Sequence, residues 1–332
     1  MFRRGSRARP FRIFFAADLH GSQMAYRKFV NAASFYEVDA LVFGGDLMGK
    51  AFVPIVRENG RLRARFQGQD LDVDAGDMGN LSRSIETAGF YWRVVDRDEY
   101  DAMAADPLAV RGAFHELASE RLQEWIEYGE ERLAQTGVRM FLTGGNDDEP
   151  SILEVLEKHE GEHVVAAEGK LIELDEKHTM ITVGLSTPTP WDTPREVDEE
   201  GMAATIAAAV SAVPDLGHCV FNFHCPPKDT VIDRCLKIED PSGLEPGELP
   251  KPVREAGRFV TTGGGSVAVR ETIKERQPLV ALHGHIHESP GRAKIGDTQC
   301  FNPGSEYGQG QLLGVLLSLR GGRLSSYQHT SG

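Results

Sequence analysis

Cysteine is scarce in this sequence and is never closely paired. Only four cysteines occur among 332 residues, and no two of them form a Cys-x-x-Cys pair. A disulfide framework or a thiolate zinc site usually requires such pairing. We therefore expect reduced thiols and a cytoplasmic location. The four are Cys219, Cys225, Cys235 and Cys300.

Long hydrophobic runs are also missing. A membrane-spanning helix needs about 20 consecutive apolar residues, and no segment of this sequence approaches that length. Residues 1–10 are basic like the start of a signal peptide, but the apolar stretch at 11–17 is too short to serve as its hydrophobic region. We expect residues 1–10 to form a flexible basic tail and the protein to have no membrane partner.

Positive charge is in short supply. The chain has 36 Lys and Arg against 50 Asp and Glu, which gives a formal net charge of −14. Contacts to phosphates dominate the affinity of proteins for duplex nucleic acid, and this charge disfavours them. We therefore expect no duplex nucleic acid as a partner. A small phosphate ester held by metal ions is compatible with the same charge.

Five short apolar runs have the length of β-strands. They are continuous rather than alternating, which is typical of strands buried on both faces of a sheet. Segments 23–36 and 108–135 carry apolar residues at helical spacing, so strands and helices alternate and an α/β fold is predicted. The five runs are residues 12–17, 40–43, 138–142, 219–223 and 279–282.

Two further pairs of segments extend this pattern. Residues 169–174 with 179–185, and residues 298–302 with 312–319, are predicted to form antiparallel strand pairs. Added to the five buried strands, they indicate a layered sandwich of sheets. No internal repeat or low-complexity tract is present.

Two insertions interrupt the alternation of strands and helices. Residues 49–106 are longer than a simple crossover needs, and Asn59, followed by glycine, lies between two apolar runs, which is a strong hairpin signal. We predict a flap made of this hairpin and a helix at 78–89. Residues 228–260, rich in Pro, Gly and acidic side chains, are predicted to be a surface loop. We assign all of this to one domain at 11–325.

Each of the five apolar runs is followed at once by residues of metal-binding types. Taken singly, a strand-end aspartate more often caps a helix or forms a turn, and a lone histidine is more often simply buried and hydrogen bonded. Ligands of α/β sheets bind at the carboxyl ends of strands, so five such ends would converge. Clustered carboxylates and imidazoles then favour a metal site over coincidence. The residues are Asp18, His20, Asp46, Asn146, His224, His285 and His287.

This ordered series resembles the signature of the calcineurin-like metallophosphoesterase superfamily, which reads D-x-H, G-D, G-N-H-D/E, H and G-H-x-H. The resemblance runs from about residue 11 to about residue 307. It implies a sandwich of two β-sheets flanked by helices, and it implies that Asp46 bridges two metals. The first metal would be held by Asp18, His20 and His287, and the second by Asn146, His224 and His285.

The reaction implied is hydrolysis of a phosphate ester by a metal-bridged hydroxide. The ester would be a monoester or a diester, with nucleotides among the candidates, and Asn146, Lys50 and His283 are expected to contact it. Oxygen and nitrogen ligands without thiolate suit two divalent ions of Mn, Fe, Co, Ni or Zn. Two alternatives stay open: a nuclease, which the net charge disfavours, and a metal-binding scaffold that does not catalyse.

One position departs from the family signature. The histidine often credited with protonating the leaving oxygen is replaced here by Asp147. Asp147 would join Asp46 as a catalytic residue only if burial or Asp148 raised its pKa towards neutrality. Otherwise the enzyme would favour esters whose leaving groups need little protonation. In the plainer interpretation, the two carboxylates simply begin the helix predicted at 150–159.

Overall fold

The computed structural model describes residues 9–240 and 251–332. Residues 1–8 of the predicted basic tail and residues 241–250 of the predicted surface loop lie outside the described residues. Among those that are described, no helix is both long enough and apolar enough to cross a membrane.

Seven α-helices form in the described ranges. They are α1 (Gln23–Phe35), α2 (Met78–Thr87), α3 (Arg97–Ala105), α4 (Pro107–Leu133), α5 (Pro150–His159), α6 (Glu199–Ser211) and α7 (Val267–Arg276). Asp106 caps α4, Asp198 caps α6 and Ser266 caps α7, each by accepting a backbone N–H of the first turn. The helices predicted at 23–36 and 108–135 are confirmed as α1 and α4.

The strands of the described ranges are short, as the apolar runs predict. They are β1 (Phe11–Ala16), β2 (Ala40–Phe43), β3 (Phe52–Glu58), β4 (Arg61–Phe66), β5 (Gln69–Asp74), β6 (Tyr91–Val95), β7 (Arg139–Leu142), β8 (Val164–Ala166), β9 (Ile172–Glu173), β10 (Thr179–Val183), β11 (Cys219–Phe223), β12 (Arg234–Leu236), β13 (Arg254–Glu255), β14 (Arg258–Phe259), β15 (Thr261–Gly263), β16 (Val280–Leu282), β17 (Gly291–Ile295), β18 (Thr298–Asn302), β19 (Leu313–Leu319) and β20 (Leu324–Ser331). The five continuous runs are confirmed as β1, β2, β7, β11 and β16. The antiparallel pair predicted at 169–174 and 179–185 is confirmed as β9 and β10.

Two six-stranded mixed sheets form the centre of the fold. The first has the strand order β20-β19-β1-β2-β7-β8, and the second has the order β17-β18-β16-β11-β10-β9. The strands β1, β2, β7 and β8 pair in parallel in the first sheet, as do β10, β11, β16 and β18 in the second. Parallel strands covered on both faces need apolar residues throughout, which explains the continuous runs.

The two sheets pack face to face, with helices on their outer faces. Ile13 and Phe15 of β1 pack against Val220 of β11 and Phe301 of β18 between the sheets. The alternate residue Phe14 points to the other side, into a core that includes residues of α1, α4 and α5. Helices α6 and α7 cover the outer face of the second sheet. This arrangement confirms the predicted sandwich of two β-sheets flanked by helices.

One predicted strand pair is wrong. Residues 298–302 and 312–319 do not pair, because β18 lies in the second sheet between β16 and β17, whereas β19 lies in the first sheet between β1 and β20. Each of the two strands pairs instead with its nearest neighbour in sequence, across a short turn. Gly296, with φ of 60°, provides the turn between β17 and β18. The segment between β18 and β19 therefore passes from one sheet to the other.

The flap contains the predicted hairpin and helix. β3 and β4 are antiparallel, and φ is 51° at Asn59 and 77° at Gly60, as a tight hairpin turn requires. The helix predicted at 78–89 is confirmed as α2. The strands β5 and β6 were not predicted; they complete a four-stranded sheet of order β5-β4-β3-β6. A small core containing Ile55 and Leu62 holds this sheet against α2.

The predicted surface loop at 228–260 contains short strands in its described part. β12 pairs with β15, and β13 pairs with β14, in two small antiparallel ribbons.

At the other end of the chain, β20 pairs with β19 up to Ser331. The first sheet thus continues beyond residue 325, where the sequence pattern placed the end of the domain.

Candidate metal centre

The carboxyl ends of strands from both sheets meet at one edge of the sandwich. β1, β2 and β7 of the first sheet end here, together with β11 and β16 of the second. Backbone hydrogen bonds join the segments that follow: the Asp18 N–H donates to the Gly45 carbonyl (2.9 Å), and the Gly284 N–H donates to the His224 carbonyl (3.0 Å). The structure thereby brings together all the predicted metal-binding residues, Asp18, His20, Asp46, Asn146, His224, His285 and His287.

Four of these residues have left-handed backbone conformations. φ is 57° at Asp18, 43° at His20, 56° at Asp46 and 69° at His285. Residues other than glycine rarely occupy this region, and those that do are concentrated at functional sites. Here the conformation turns the chain sharply after each strand. The strain thus accompanies the convergence of the side chains on one centre.

The first group of ligand atoms comes from Asp18, His20, Asp46 and His287. One ligand atom from each residue lies within 4.8 Å of those of the other three, and a group of this kind is able to hold a metal ion. His20 Nε2 is 3.0 Å from His287 Nε2 and 3.5 Å from Asp46 Oδ2. His287 Nε2 is 3.5 Å from Asp18 Oδ1. These are the residues that the sequence resemblance assigns to the first metal, together with the bridging aspartate.

The second group is centred on the amide oxygen of Asn146. Asn146 Oδ1 lies 2.9 Å from His224 Nε2 and 2.7 Å from His285 Nδ1. His224 Nε2 is also 3.5 Å from Asp46 Oδ1. Since the other carboxylate oxygen, Oδ2, faces His20, Asp46 contacts both groups. Asp46 therefore lies between the two groups of ligand atoms.

The cluster attracts positive charge. Burial disfavours a charged imidazole, but Asp46 alongside raises the pKa of His224 to about 9. Burial likewise opposes the ionisation of Asp46, yet His224 and His20 hold its pKa well below the ordinary value. At His285, burial and the neighbouring His224 lower the pKa to about 4, so this ring is neutral. The buried carboxylates thus favour positive charge within the cluster.

The donor chemistry fits a metal ion. His224 Nδ1 lies 2.8 Å from the Gly44 carbonyl oxygen and donates to it, so Nε2 of the neutral ring carries a lone pair. That lone pair faces the lone pairs of Asn146 Oδ1. Acceptors that face each other repel unless a proton or a cation lies between them. Without metal a proton on His224 fills this role, and a divalent cation would displace it.

A polar segment after β10 orients Asn146. Thr193 Oγ1 accepts a hydrogen bond from Asn146 Nδ2 (2.8 Å) and donates one to Glu196 Oε1 (2.6 Å), which turns the amide oxygen towards the two imidazoles. Arg195 is buried and donates to the carbonyl of the residue before Asn146 (2.9 Å). These residues could not be recognised from the sequence, because the segment has no periodicity and no ligand residue. A Thr-x-x-Glu pattern at 193–196 offers the one local hint.

Asp148 has a structural role that the sequence did not reveal. Its carboxylate accepts backbone N–H bonds from Leu47, Met48 and Gly145, each at 2.8 Å. It therefore ties the segment after β2 to the segment after β7. Burial and the nearby Asp46 raise the pKa of Asp148 to about 7, even though the three amides favour the ionised form. Asp148 does not cap α5, whose first residue follows Glu149.

The residues predicted to contact substrate differ in placement. Asp147 Oδ2 lies 2.5 Å from Lys50 Nζ and 3.7 Å from His20 Nδ1. Burial and Asp46 raise the pKa of Asp147, while Lys50 acts in the opposite direction. His283 has no exposed surface, and its Nδ1 bonds to the carbonyl oxygens of Phe223 (2.8 Å) and of the residue after His224 (3.1 Å). Its hydrogen bonds thus go to the backbone rather than to the ligand cluster.

The aromatic residues of the flap belong to its packing. Phe90 packs edge-on against Phe66, and Trp92 donates through Nε1 to Glu86 (2.9 Å). Tyr91 is buried, and its hydroxyl accepts the Gly49 N–H. The aromatic ring that does border the metal-binding residues is Tyr307, half-buried at 4.6 Å from the His20 ring. No motif in the sequence marked this tyrosine.

Comparisons with known proteins agree with the fold. No family model matches the chain, and no curated protein matches it in sequence. One crystal structure matches with 15% identity and a TM-score of 0.55, over 97% of this chain and 98% of its own. The crystal structure of TT1561 of Thermus thermophilus matches with 15% identity and a TM-score of 0.52, over the same shares of the two chains. A structure described as an archaeal phosphodiesterase is 11% identical with a TM-score of 0.35, over 97% of this chain and 100% of its own. At these identities, the likeness to the first two concerns the fold alone.

Proposed function

We propose that this protein is a calcineurin-like metallophosphoesterase that hydrolyses a small phosphate ester with two divalent metal ions. The observation that supports it is the position of Asp46 between two groups of ligand atoms. One group contains His20 and the other contains His224, and each approaches a different oxygen of the Asp46 carboxylate at 3.5 Å. A carboxylate shared in this way is suited to hold two cations side by side.

The residues of the chain bind and orient, and bound ions complete the chemistry. Two divalent ions would polarise the phosphoryl group and lower the pKa of a water molecule that attacks phosphorus. The hydrogen bond from His224 to Gly44 keeps the neutral ring in the tautomer whose Nε2 faces the cluster. Thr193 keeps the Asn146 oxygen facing the same way. Mn, Fe, Co, Ni and Zn are all suited to these oxygen and nitrogen donors.

The leaving group receives less help here than in relatives with a histidine. Burial and Asp46 raise the pKa of Asp147, but its close contact with Lys50 favours the carboxylate form, which is a poor proton donor. We therefore expect esters with acidic leaving groups, such as aryl phosphates, to be better substrates than alkyl phosphates. A scaffold without catalysis and a nuclease are the competing proposals, and turnover assays distinguish all three.

The first experiment measures hydrolysis of p-nitrophenyl phosphate and bis-p-nitrophenyl phosphate by metal-stripped protein re-supplied with Mn²⁺. Asp46→Asn and His224→Ala should abolish metal-dependent turnover. His218→Ala is the matched control, since this histidine bonds to Asp215 (2.7 Å) in the turn just before β11. Metal binding without turnover of either ester would favour the scaffold. Turnover confined to single-stranded or duplex DNA would favour the nuclease.

A further inference from the structure

Lys50 brings an ammonium group to the edge of the metal-binding cluster. It lies at the start of the flap, between β2 and β3, and its Nζ is 2.5 Å from Asp147 Oδ2. The backbone N–H of Asp147 donates to Asp46 Oδ1 (3.0 Å), so one residue separates the ammonium from the central carboxylate. The Lys50 side chain is 47% exposed, and that of Asp147 is 15% exposed. The ion pair therefore lies where the cluster opens to solvent.

The ammonium group retains capacity for a ligand. It has three N–H donors, and Asp147 is its one hydrogen-bonding or ionic partner in the described part of the chain. Burial opposes its charge, but Asp147 and Asp46 raise the pKa of Lys50 above its ordinary value. Lys50 thus stays protonated at neutral pH and is a poor proton donor. Its contribution to a bound ester is a charged hydrogen bond rather than acid catalysis.

The charge of the substrate determines how strongly the Lys50 ammonium group attracts it. A phosphomonoester carries a second negative charge above about pH 6, whereas a diester keeps a single charge. The carboxylates of Asp18 and Asp46 oppose any added negative charge, and metal ions offset them. An additional fixed cation at the opening favours the dianion over the monoanion.

We propose that Lys50, held in place by Asp147, binds a non-bridging phosphoryl oxygen and makes this site selective for phosphomonoesters over diesters. This inference rests on the proposed phosphoesterase function. Lys50 is then a substrate-binding residue, and Asp147 is a positioning residue that acts through it. In sequence, Asp147 takes the position at which the family signature has a histidine.

The test compares wild type with Lys50→Met, Lys50→Arg and Asp147→Asn, all loaded with Mn²⁺. p-Nitrophenyl phosphate and bis-p-nitrophenyl phosphate share a leaving group, so the ratio of their kcat/KM values reports charge selectivity. We expect wild type to prefer the monoester and Lys50→Met to lower the ratio by about 10- to 100-fold, mainly through KM. Lys50→Arg should retain part of the wild-type ratio, and Asp147→Asn should lower the ratio as Lys50→Met does. Lys170→Met is the control, since Lys170 forms a similar ion pair with Glu160 (2.9 Å) away from the cluster.

A binding measurement separates this inference from the proposed function. Calorimetric titration with inorganic phosphate should show that Lys50→Met loses about 10-fold or more of its phosphate affinity. The variant should keep the Mn²⁺ content and the unfolding midpoint of wild type. That loss would support the Lys50 contact even if neither ester were hydrolysed, an outcome that refutes only the esterase. Three outcomes would overturn the inference. Wild type could prefer the diester, or Lys50→Met could leave the ratio of kcat/KM values for monoester and diester unchanged. Lys50→Met could also leave the affinity for phosphate unchanged.

Discussion

Gly145 offers a sharp test of how tightly the metal-binding segments are packed. A Cβ atom added at this position would lie 2.1 Å from Asp46 Oδ1 and 2.3 Å from the Asp46 backbone nitrogen. Ordinary contacts of a Cβ atom are longer than 3.4 Å, so the overlap exceeds 1 Å at both atoms. Neither atom yields easily, since one belongs to the backbone and the other accepts the Asp147 N–H. Gly145 is not among the glycines with positive φ, so the substitution is a steric test alone.

We expect Gly145→Ala to lower the free energy of unfolding by about 1–3 kcal/mol, the usual cost of overpacking a well-packed interior. Because the displaced group is Asp46, the affinity for Mn²⁺ should also fall, by 10-fold or more as an order-of-magnitude estimate. Urea unfolding in the presence of a chelator measures the first effect, and calorimetric metal titration measures the second. The chelator matters, because bound metal would add its own stabilisation to the unfolding curve.

Gly112→Ala is the matched control. Gly112 is exposed within α4, and an added Cβ would meet nothing within 4 Å. This substitution should stabilise the protein by about 0.5–1 kcal/mol, because alanine has the higher helix propensity. A Gly145→Ala variant as stable as wild type, with the same metal affinity, would refute the geometry described for Asp46. Equal effects of the two substitutions would do the same.

Three further predictions concern the residues around the cluster. Thr193→Val should weaken Mn²⁺ binding by about 10- to 100-fold in a calorimetric titration, because it removes the shorter of the two hydrogen bonds that orient the Asn146 amide. Thr193→Ser should preserve binding, and equal affinities in all three proteins would contradict this prediction. Asp148→Asn should lower the free energy of unfolding by about 2 kcal/mol in urea, because one of three converging N–H donors would then face an amide NH₂ group. Chelation of metal should lower the thermal midpoint, since Mn²⁺ at 100 times its Kd adds about 2.7 kcal/mol of stability, and Asp46→Asn should show no such shift.

The sequence alone identified the five continuously apolar strands, β1, β2, β7, β11 and β16, and the residues at their ends. Both are local properties: a strand buried on two faces must be continuously apolar, and a ligand at a strand end directly follows that run. Asp18 and Asp46 were therefore found from position and residue type alone. The hairpin at Asn59 was found in the same way, because a tight turn imposes its own residue preferences.

Tertiary structure alone decided which of these local elements meet. The strands β18 and β19 are both apolar runs of strand length, yet they belong to different sheets. β18 pairs with β17 in the second sheet, and β19 pairs with β20 in the first. The contacts of Lys50 with Asp147 and of Asn146 with Thr193 join distant segments, so no local spacing encodes them. Asp148 resembles a residue that begins a helix, but its partners come from the segment after another strand. Residue type and local periodicity determined the donors of the site, and the packing of two sheets determined how those donors are oriented.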